Sequence, residues 1–180
     1  MNKTDFSDMP CPVAKSLARV GEWWSILILR DAFYGLTRFS EFETSLNIAP
    51  NMLTRRLNDL VENGLLERKP CSETPTRFEY HLTDAGKDFR PVIWALVAWG
   101  NAHFSPEGAA SVLVNRHTGV PAQPVLIDAN TGEKITSENY RVGPGPAASE
   151  QMRYRMDFLR LKQEAGNENL RFNPPAKADA

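Results

Sequence analysis

Apolar residues recur at helical spacing over most of the first hundred positions of this chain, and they switch to alternation once. Val13, Leu17 and Val20 follow Pro12, which predicts a short helix with Pro12 at its first position and Cys11 at its N-cap. Beyond Gly21, positions 22–34 carry Trp23, Ile26, Leu27, Ile28, Leu29 and Phe33 with little polar face, the pattern of a helix central to a core. Gly35-Leu36-Thr37 reads as a turn, and Phe39, Phe42 and Leu46 then mark a short amphipathic helix. Asn47-Ile48-Ala49 is the next turn, after which Pro50 opens a helix over 50–63 that buries Leu53, Leu57, Leu60 and Val61. It stops at Gly64, a residue suited to a left-handed C-terminal cap.

The alternation lies at 65–69 and again at 77–82, where Phe78 and Tyr80 share a face, with a polar loop between. Thr83 then caps a last long helix whose apolar positions Phe89, Val92, Ile93, Leu96, Val97 and Trp99 cover more than one stripe, and Pro91 is expected to kink it from inside. So broad an apolar surface calls for a partner, most simply a second copy of the chain. Helices followed by a two-stranded ribbon are the order of a winged helix-turn-helix. The fold class is therefore mainly α with small β: a winged helix-turn-helix domain with a long C-terminal dimerisation helix, plus a small C-terminal β-ribbon and helix.

From Ser105 the character changes. The turn signals His117-Thr118-Gly119 and Asn130-Thr131-Gly132 bracket the apolar run Pro124-Val125-Leu126-Ile127, and Gly143-Pro144-Gly145-Pro146 closes the segment. A charged amphipathic helix is predicted at about 149–164, with a mobile tail after Gly166. The expected organisation is thus 1–104 for DNA binding and dimerisation, 105–148 for a small β-unit, and 149–180 for a helix and tail.

Composition narrows the function. Hydrophobic and charged fractions of 42% and 24% are those of an ordinary globular protein. No apolar run approaches the roughly 18 residues that span a bilayer. The start MNKTDFSDMP lacks a signal-peptide core, so a cytoplasmic location without membrane contact is expected. The net charge of -1 is not that of a strongly basic DNA-binding protein. Between Pro50 and Tyr80 the bases Arg55, Arg56, Arg68, Lys69 and Arg77 are matched by Asp59, Glu62, Glu67, Glu73 and Glu79. Any DNA footprint must be local and summed over two copies. Two cysteines, Cys11 and Cys71, are too few for a disulfide framework. No GxGxxG, Walker, GxSxG or HExxH pattern is present, and His81, His103 and His117 have no acid partners at diagnostic spacing. Neither an enzyme nor a cofactor is expected.

Several segments in order carry a family resemblance: Cys11-Pro12, Trp24 to Arg30 (WSILILR), Arg38-Phe39-Ser40-Glu41-Phe42, Pro50 to Leu57 (PNMLTRRL), Asn63 to Arg68 (NGLLER) and Glu79 to Gly86 (EYHLTDAG). Together they resemble the HxlR-type winged-helix regulators, dimeric bacterial transcription factors related to the MarR group, over Cys11 to about Gly100. The resemblance implies homodimers formed through the terminal helices, with one recognition helix and one wing per subunit on double-stranded DNA. It also implies a departure, since many members have serine where this chain has Ala49, and losing such a cap costs about 1 kcal/mol. In several members the cysteine of the Cys-Pro pair senses oxidants. In longer relatives the region after 105 resembles a zinc ribbon with cysteine-bearing turns. Here no cysteine follows Ser72, and His117 alone cannot build a tetrahedral site, so no metal is expected. Val112, Leu113, Val125, Leu126 and Ile127, or docking on the first domain, would then have to hold that unit.

The candidate DNA contacts follow from this arrangement. Asn51, Thr54, Arg55 and Asn58 lie on the helix face opposite Leu53, Leu57 and Leu60, with Arg55 suited to bidentate recognition of guanine. The competing reading is a solvated face in which Arg55 pairs with Asp59 at i,i+4. Arg38 opens the preceding helix, and Lys69 and Arg77 flank the wing, where a ribbon tip reaches phosphate or the minor groove. Cys11, at a helix N-terminus, is the redox-sensing candidate. Trp23 and Trp94 are candidates for an aromatic effector pocket, with core or interface packing as the commoner use of such residues. The expected function is a homodimeric regulator that reads a short inverted repeat with helix 50–63 and wing 65–82, switched by thiol oxidation or by a small molecule. The alternative is a winged-helix protein-interaction module without specific DNA binding.

Overall fold

The computed structural model describes residue 9 and residues 11–71, 77–166 and 170–175. It divides into two compact units, Ser16–Pro124 and a second made of Met1–Lys15 with Val125–Ala180. Along the chain run α1 (Pro12–Val20), α2 (Trp23–Phe33), α3 (Phe39–Leu46), α4 (Pro50–Glu62), β1 (Leu66–Pro70), β2 (Phe78–Leu82), α5 (Asp84–Asp88), α6 (Arg90–Phe104) and α7 (Glu150–Glu164).

In the first unit α2 is the central element, packed against α3, α4, β2 and α6. Ile28 and Leu29 meet Phe42, Leu53, Leu57 and Leu60 in a core from which water is fully excluded. Burying each such side chain contributes about 1.5–3 kcal/mol, so this apolar stripe fixes the α2–α3–α4 arrangement. Asp31 is buried within it, a costly placement for a carboxylate without partners. Two partners offset the cost: Arg30 Nη2 at 2.7 Å and the Ser45 hydroxyl, which donates at 2.7 Å and ties α3 to α2.

The turns behave as their residues dictate. Asn47 takes the left-handed conformation, φ 46°, between α3 and α4, one that asparagine tolerates better than most residues. Gly64 adopts φ 71° after α4, and the Leu65 amide donates back to Leu60 O at 2.9 Å, closing the helix as predicted. Strands β1 and β2 pair antiparallel from Leu66↔Leu82 to Pro70↔Phe78 and form the wing. The stretch before α3 adds a third element to it, because the Tyr80 amide donates to Thr37 O at 2.8 Å and Arg38 bridges Glu79.

The predicted long terminal helix is two helices. α5 ends at Asp88, Phe89 donates to Gly86 O in a tight turn, and α6 restarts at Arg90 with Pro91 in its first turn. Pro91 does not kink a continuous helix; it lacks the amide that would carry α5 onward and is pre-set to begin α6. Thr83 does cap as expected, but it caps α5. Its hydroxyl donates to Gly64 O at 2.6 Å, lies 3.2 Å from Leu65 O, and accepts from the Gly86 amide at 3.1 Å. Gly86 itself is pressed against the chain end of α4, since a Cβ there would meet Leu65 O at 2.1 Å.

The segment expected to be a β-unit forms isolated bridges, Val114↔Pro121 in the first unit and Ile127↔Lys134 in the second, and no regular strand among its described residues. Each bridge closes a loop built on the same plan. Asn115 Oδ1 accepts from the His117 and Thr118 amides, the Thr118 hydroxyl accepts from Val120, and Gly119 is left-handed. Asp128, Asn130, Thr131, Glu133 and Gly132 repeat this pattern thirteen residues on. An apolar core does not hold these loops: Val112, Val125, Leu126 and Ile127 are exposed. Side chains that satisfy the turn's own amides hold them instead. In the second unit, α7 is capped by Ser149, whose hydroxyl accepts from the Met152 amide, and Phe158 packs edge-on against Phe172.

Candidate nucleic-acid interface

α4 reaches the surface with its serine-type cap missing. Ala49 has extended geometry and no side-chain cap bond. Part of the deficit is made up locally: Pro50 brings no amide to satisfy, and Asn51 Oδ1 accepts from the Met52 amide at 2.7 Å. The Thr54 hydroxyl donates to Pro50 O at 2.8 Å, which leaves its oxygen as an acceptor. Asn51, Thr54, Arg55 and Asn58 are all exposed on one side of the helix.

The two adjacent arginines separate sharply. Arg55 is exposed and has no carboxylate partner among the described residues. Arg56 is 4% exposed, its Nη1 2.8 Å from Asp59 and its Nη2 3.2 Å from Glu22, while its buried Nε is unpaired. The i,i+4 pair of Arg55 with Asp59 does not form, because Asp59 accepts from Arg56 one position closer to the core. Arg56, Glu22 and Asp59 are therefore a buried tether for α4 that sequence inspection missed. A signal was present, since position 56 falls inside the Leu53–Leu57–Leu60 stripe.

Three of the cations at the wing, Lys69, Arg68 and Arg38, have partners of their own. Lys69 Nζ lies 2.7 Å from Glu67, two residues back on the same strand face. Arg68 stacks over the Phe78 ring at 4.3 Å. Arg38 Nε lies 3.2 Å from Glu79, whose other oxygen lies 3.3 Å from His81 Nε2. Arg38 and Arg77, far apart in sequence, line one cleft of about 440 Å³ between the start of α3 and the wing. Ser40, absent from the sequence-based candidates, lines it too, and Cys71 is buried at its side. The Glu41 carboxylate accepts from the Arg38 and Thr37 amides, which holds its pKa below the usual carboxylate value and fixes the first turn of α3.

Cys11 stands immediately before α1, partly exposed, and its carbonyl accepts from Lys15 at 2.9 Å. Trp94 lines a groove of about 610 Å³ between the end of α2, the start of α6 and residues 111–116. Trp23 lies outside that groove and is 75% exposed. No helix among the described residues is long and apolar enough to cross a membrane.

Known proteins share this arrangement. Residues 19–108 match the family described as HxlR-like helix-turn-helix. An uncharacterized HTH-type transcriptional regulator of Mycobacterium tuberculosis is 43% identical over 135 residues, 74% of this chain and 85% of the relative. That alignment is longer than the family match. The solved structure of a candidate transcription factor from Pseudomonas aeruginosa is 56% identical with a TM-score of 0.59, covering 81% of this chain and 99% of that one. Another candidate transcription factor of known structure is 39% identical with a TM-score of 0.72, covering 79% and 100%. With two helices set across a left-handed turn, a wing behind them and a family match over the same residues, the chain belongs to the HxlR-like helix-turn-helix family of transcription regulators.

Proposed function

We propose that this regulator binds DNA as a homodimer and reads a short inverted repeat, with α4 in the major groove and the wing on the flanking backbone. The observation that carries the reading is the split between Arg55 and Arg56. The buried guanidinium secures α4, and the exposed one has no acid partner among the described residues on the face that also presents Asn51, Thr54 and Asn58. Such a face offers amide and guanidinium donors to base edges, with Arg55 bidentate to guanine. Arg38 and Arg77, sharing one cleft with Ser40, suit a backbone phosphate.

Dimerisation supports the reading from α6. Ile93 and Val97 turn inward, while Val92, Leu96 and Trp99 form an exposed apolar stripe at i, i+4 and i+7. Two copies also supply the charge that one wing, largely neutralised by Glu67 and Glu79, does not. Regulation then acts on the dimer, through oxidation of Cys11 or through a small molecule near Trp94.

Selection of bound sequences from a random duplex library, followed by anisotropy titrations at near-physiological salt, tests the assignment. Arg55→Ala is expected to lose about 1–3 kcal/mol of discrimination at one base pair per half-site. Unchanged affinity and sequence preference would displace α4 from the role. Oxidant is expected to release the wild type and not Cys11→Ser; equal release would leave the small molecule as the effector. The second reading, a winged helix that binds protein rather than DNA, draws on the pairing of Lys69 with Glu67 and Arg38 with Glu79. Failure to enrich any sequence would favour it.

A further inference from the structure

The groove beside Trp94 has the size of a small-molecule site, about 610 Å³. Three arginines line it, Arg30, Arg90 and Arg116, and no carboxylate does. Arg30 is neutralised by Asp31 at 2.7 Å. Arg90 stacks over the Phe33 ring at 4.8 Å and has no acid partner among the described residues; Arg116 has none either. With its Cζ over an aromatic ring and no acid beside it, the Arg90 guanidinium on the groove wall has N–H donors to offer an acceptor bound there. The remaining lining is mostly apolar and includes Phe33 and Trp94.

These two properties select a chemical class. A small inorganic anion satisfies Arg90 and leaves the apolar walls wet, and a neutral arene covers the walls and leaves the cation without an acceptor. We infer that the groove binds a small aromatic carboxylate. Its carboxylate takes the Arg90 edge in a bidentate pair, Arg116 adds long-range attraction, and its ring lies against Trp94. The binding site stands by itself; its use as an effector site rests on the regulator reading above. Because the groove is bounded by α2, which packs on α4, and by the start of α6, an occupant there bears on both the DNA-reading and the dimerisation helices.

Calorimetric titration of the full chain with benzoate tests the site, with benzamide as the uncharged isostere and acetate as the carboxylate without a ring. Saturable benzoate binding is expected, at least about tenfold tighter than either control, because each control forfeits one half of the recognition. Arg90→Lys and Trp94→Leu are each expected to weaken benzoate by about tenfold while leaving the far-ultraviolet dichroism unchanged. The inference fails if benzoate does not saturate at millimolar concentration, if benzamide binds as tightly, or if neither variant changes affinity. It also fails if Trp94→Leu converts a dimer to monomer and benzoate binds neither form, which would make the groove a subunit contact. DNA binding by the same preparations separates the two readings. Lost DNA recognition with intact benzoate binding condemns the operator reading alone, and the reverse condemns the groove alone.

Discussion

Arg56 Nη2 lies 3.2 Å from the Glu22 carboxylate, so the residue just before α2 is joined to the inner face of α4. The same guanidinium holds Asp59 at 2.8 Å and leaves its buried Nε without a partner. Removing one member of such a cluster strands the others, whereas an apolar replacement of similar length fills the space without stranding a donor.

Arg56→Ala is therefore expected to destabilise the protein by about 2–3 kcal/mol, somewhat less than for a fully buried pair because Glu22 and Asp59 retain some solvent. Arg56→Met is expected to cost less than about half of that. Urea unfolding at matched protein concentration measures both, and an alanine variant as stable as wild type would remove the tether from the account.

Glu41 gives the fold a pH dependence with a definite sign. Amides of Arg38 and Thr37 donate to its carboxylate and lower its folded pKa below the unfolded value. The stabilisation is complete above the unfolded carboxylate pKa and is lost as pH falls through the lowered folded one. Glu41→Gln should be less stable than wild type at neutral pH, with the gap closing in acid; thermal melts that differ by a constant amount at every pH would contradict this.

The acids of the wing are expected to restrain DNA binding. Glu67→Gln frees Lys69, and Glu79→Gln frees Arg38 from one of its partners, so each should tighten binding to any duplex and steepen its salt dependence by up to about one unit of slope. Lys69→Ala should do the opposite. Anisotropy titrations over a range of salt measure the slopes, and slopes insensitive to all three changes would take the wing off the backbone.

The stripe on α6 predicts the assembly. Leu96→Glu places a charge at its centre and is expected to give monomer in sedimentation experiments and to weaken operator binding at least tenfold, about 1.4 kcal/mol or more. A Leu96→Glu dimer as tight as wild type would move the interface elsewhere.

Much of this was legible in the chain. Leu53, Leu57 and Leu60 recur at helical spacing and are all fully buried; Pro50 and Gly64 bound their helix as proline and glycine do. Arg55 and Arg56 were not distinguished, because neighbouring like residues look equivalent until one follows the stripe around the helix. The break at Phe89 was hidden because the apolar pattern continues across it and only the hydrogen bonding stops. The loops after Val114 misled for the opposite reason: turn chemistry and an apolar run suggested a β core, yet the turns are self-sufficient and the run lies in solvent. The Arg38–Arg77 cleft depends on a bridge between residues forty-one positions apart, which no local pattern records.

The hydroxyl of Thr83 has a mechanical consequence. It meets the Gly64 and Leu65 carbonyls, which lie between α4 and the wing, and the first turn of α5, while Gly86 sits too close to Leu65 for any side chain to intervene. The joint has no slack, so a twist applied to α5 cannot be absorbed there and must either break those bonds together or turn the wing. A single oxygen thus couples the end of α4, the approach to the wing and the start of α5, so that these three segments move as one piece.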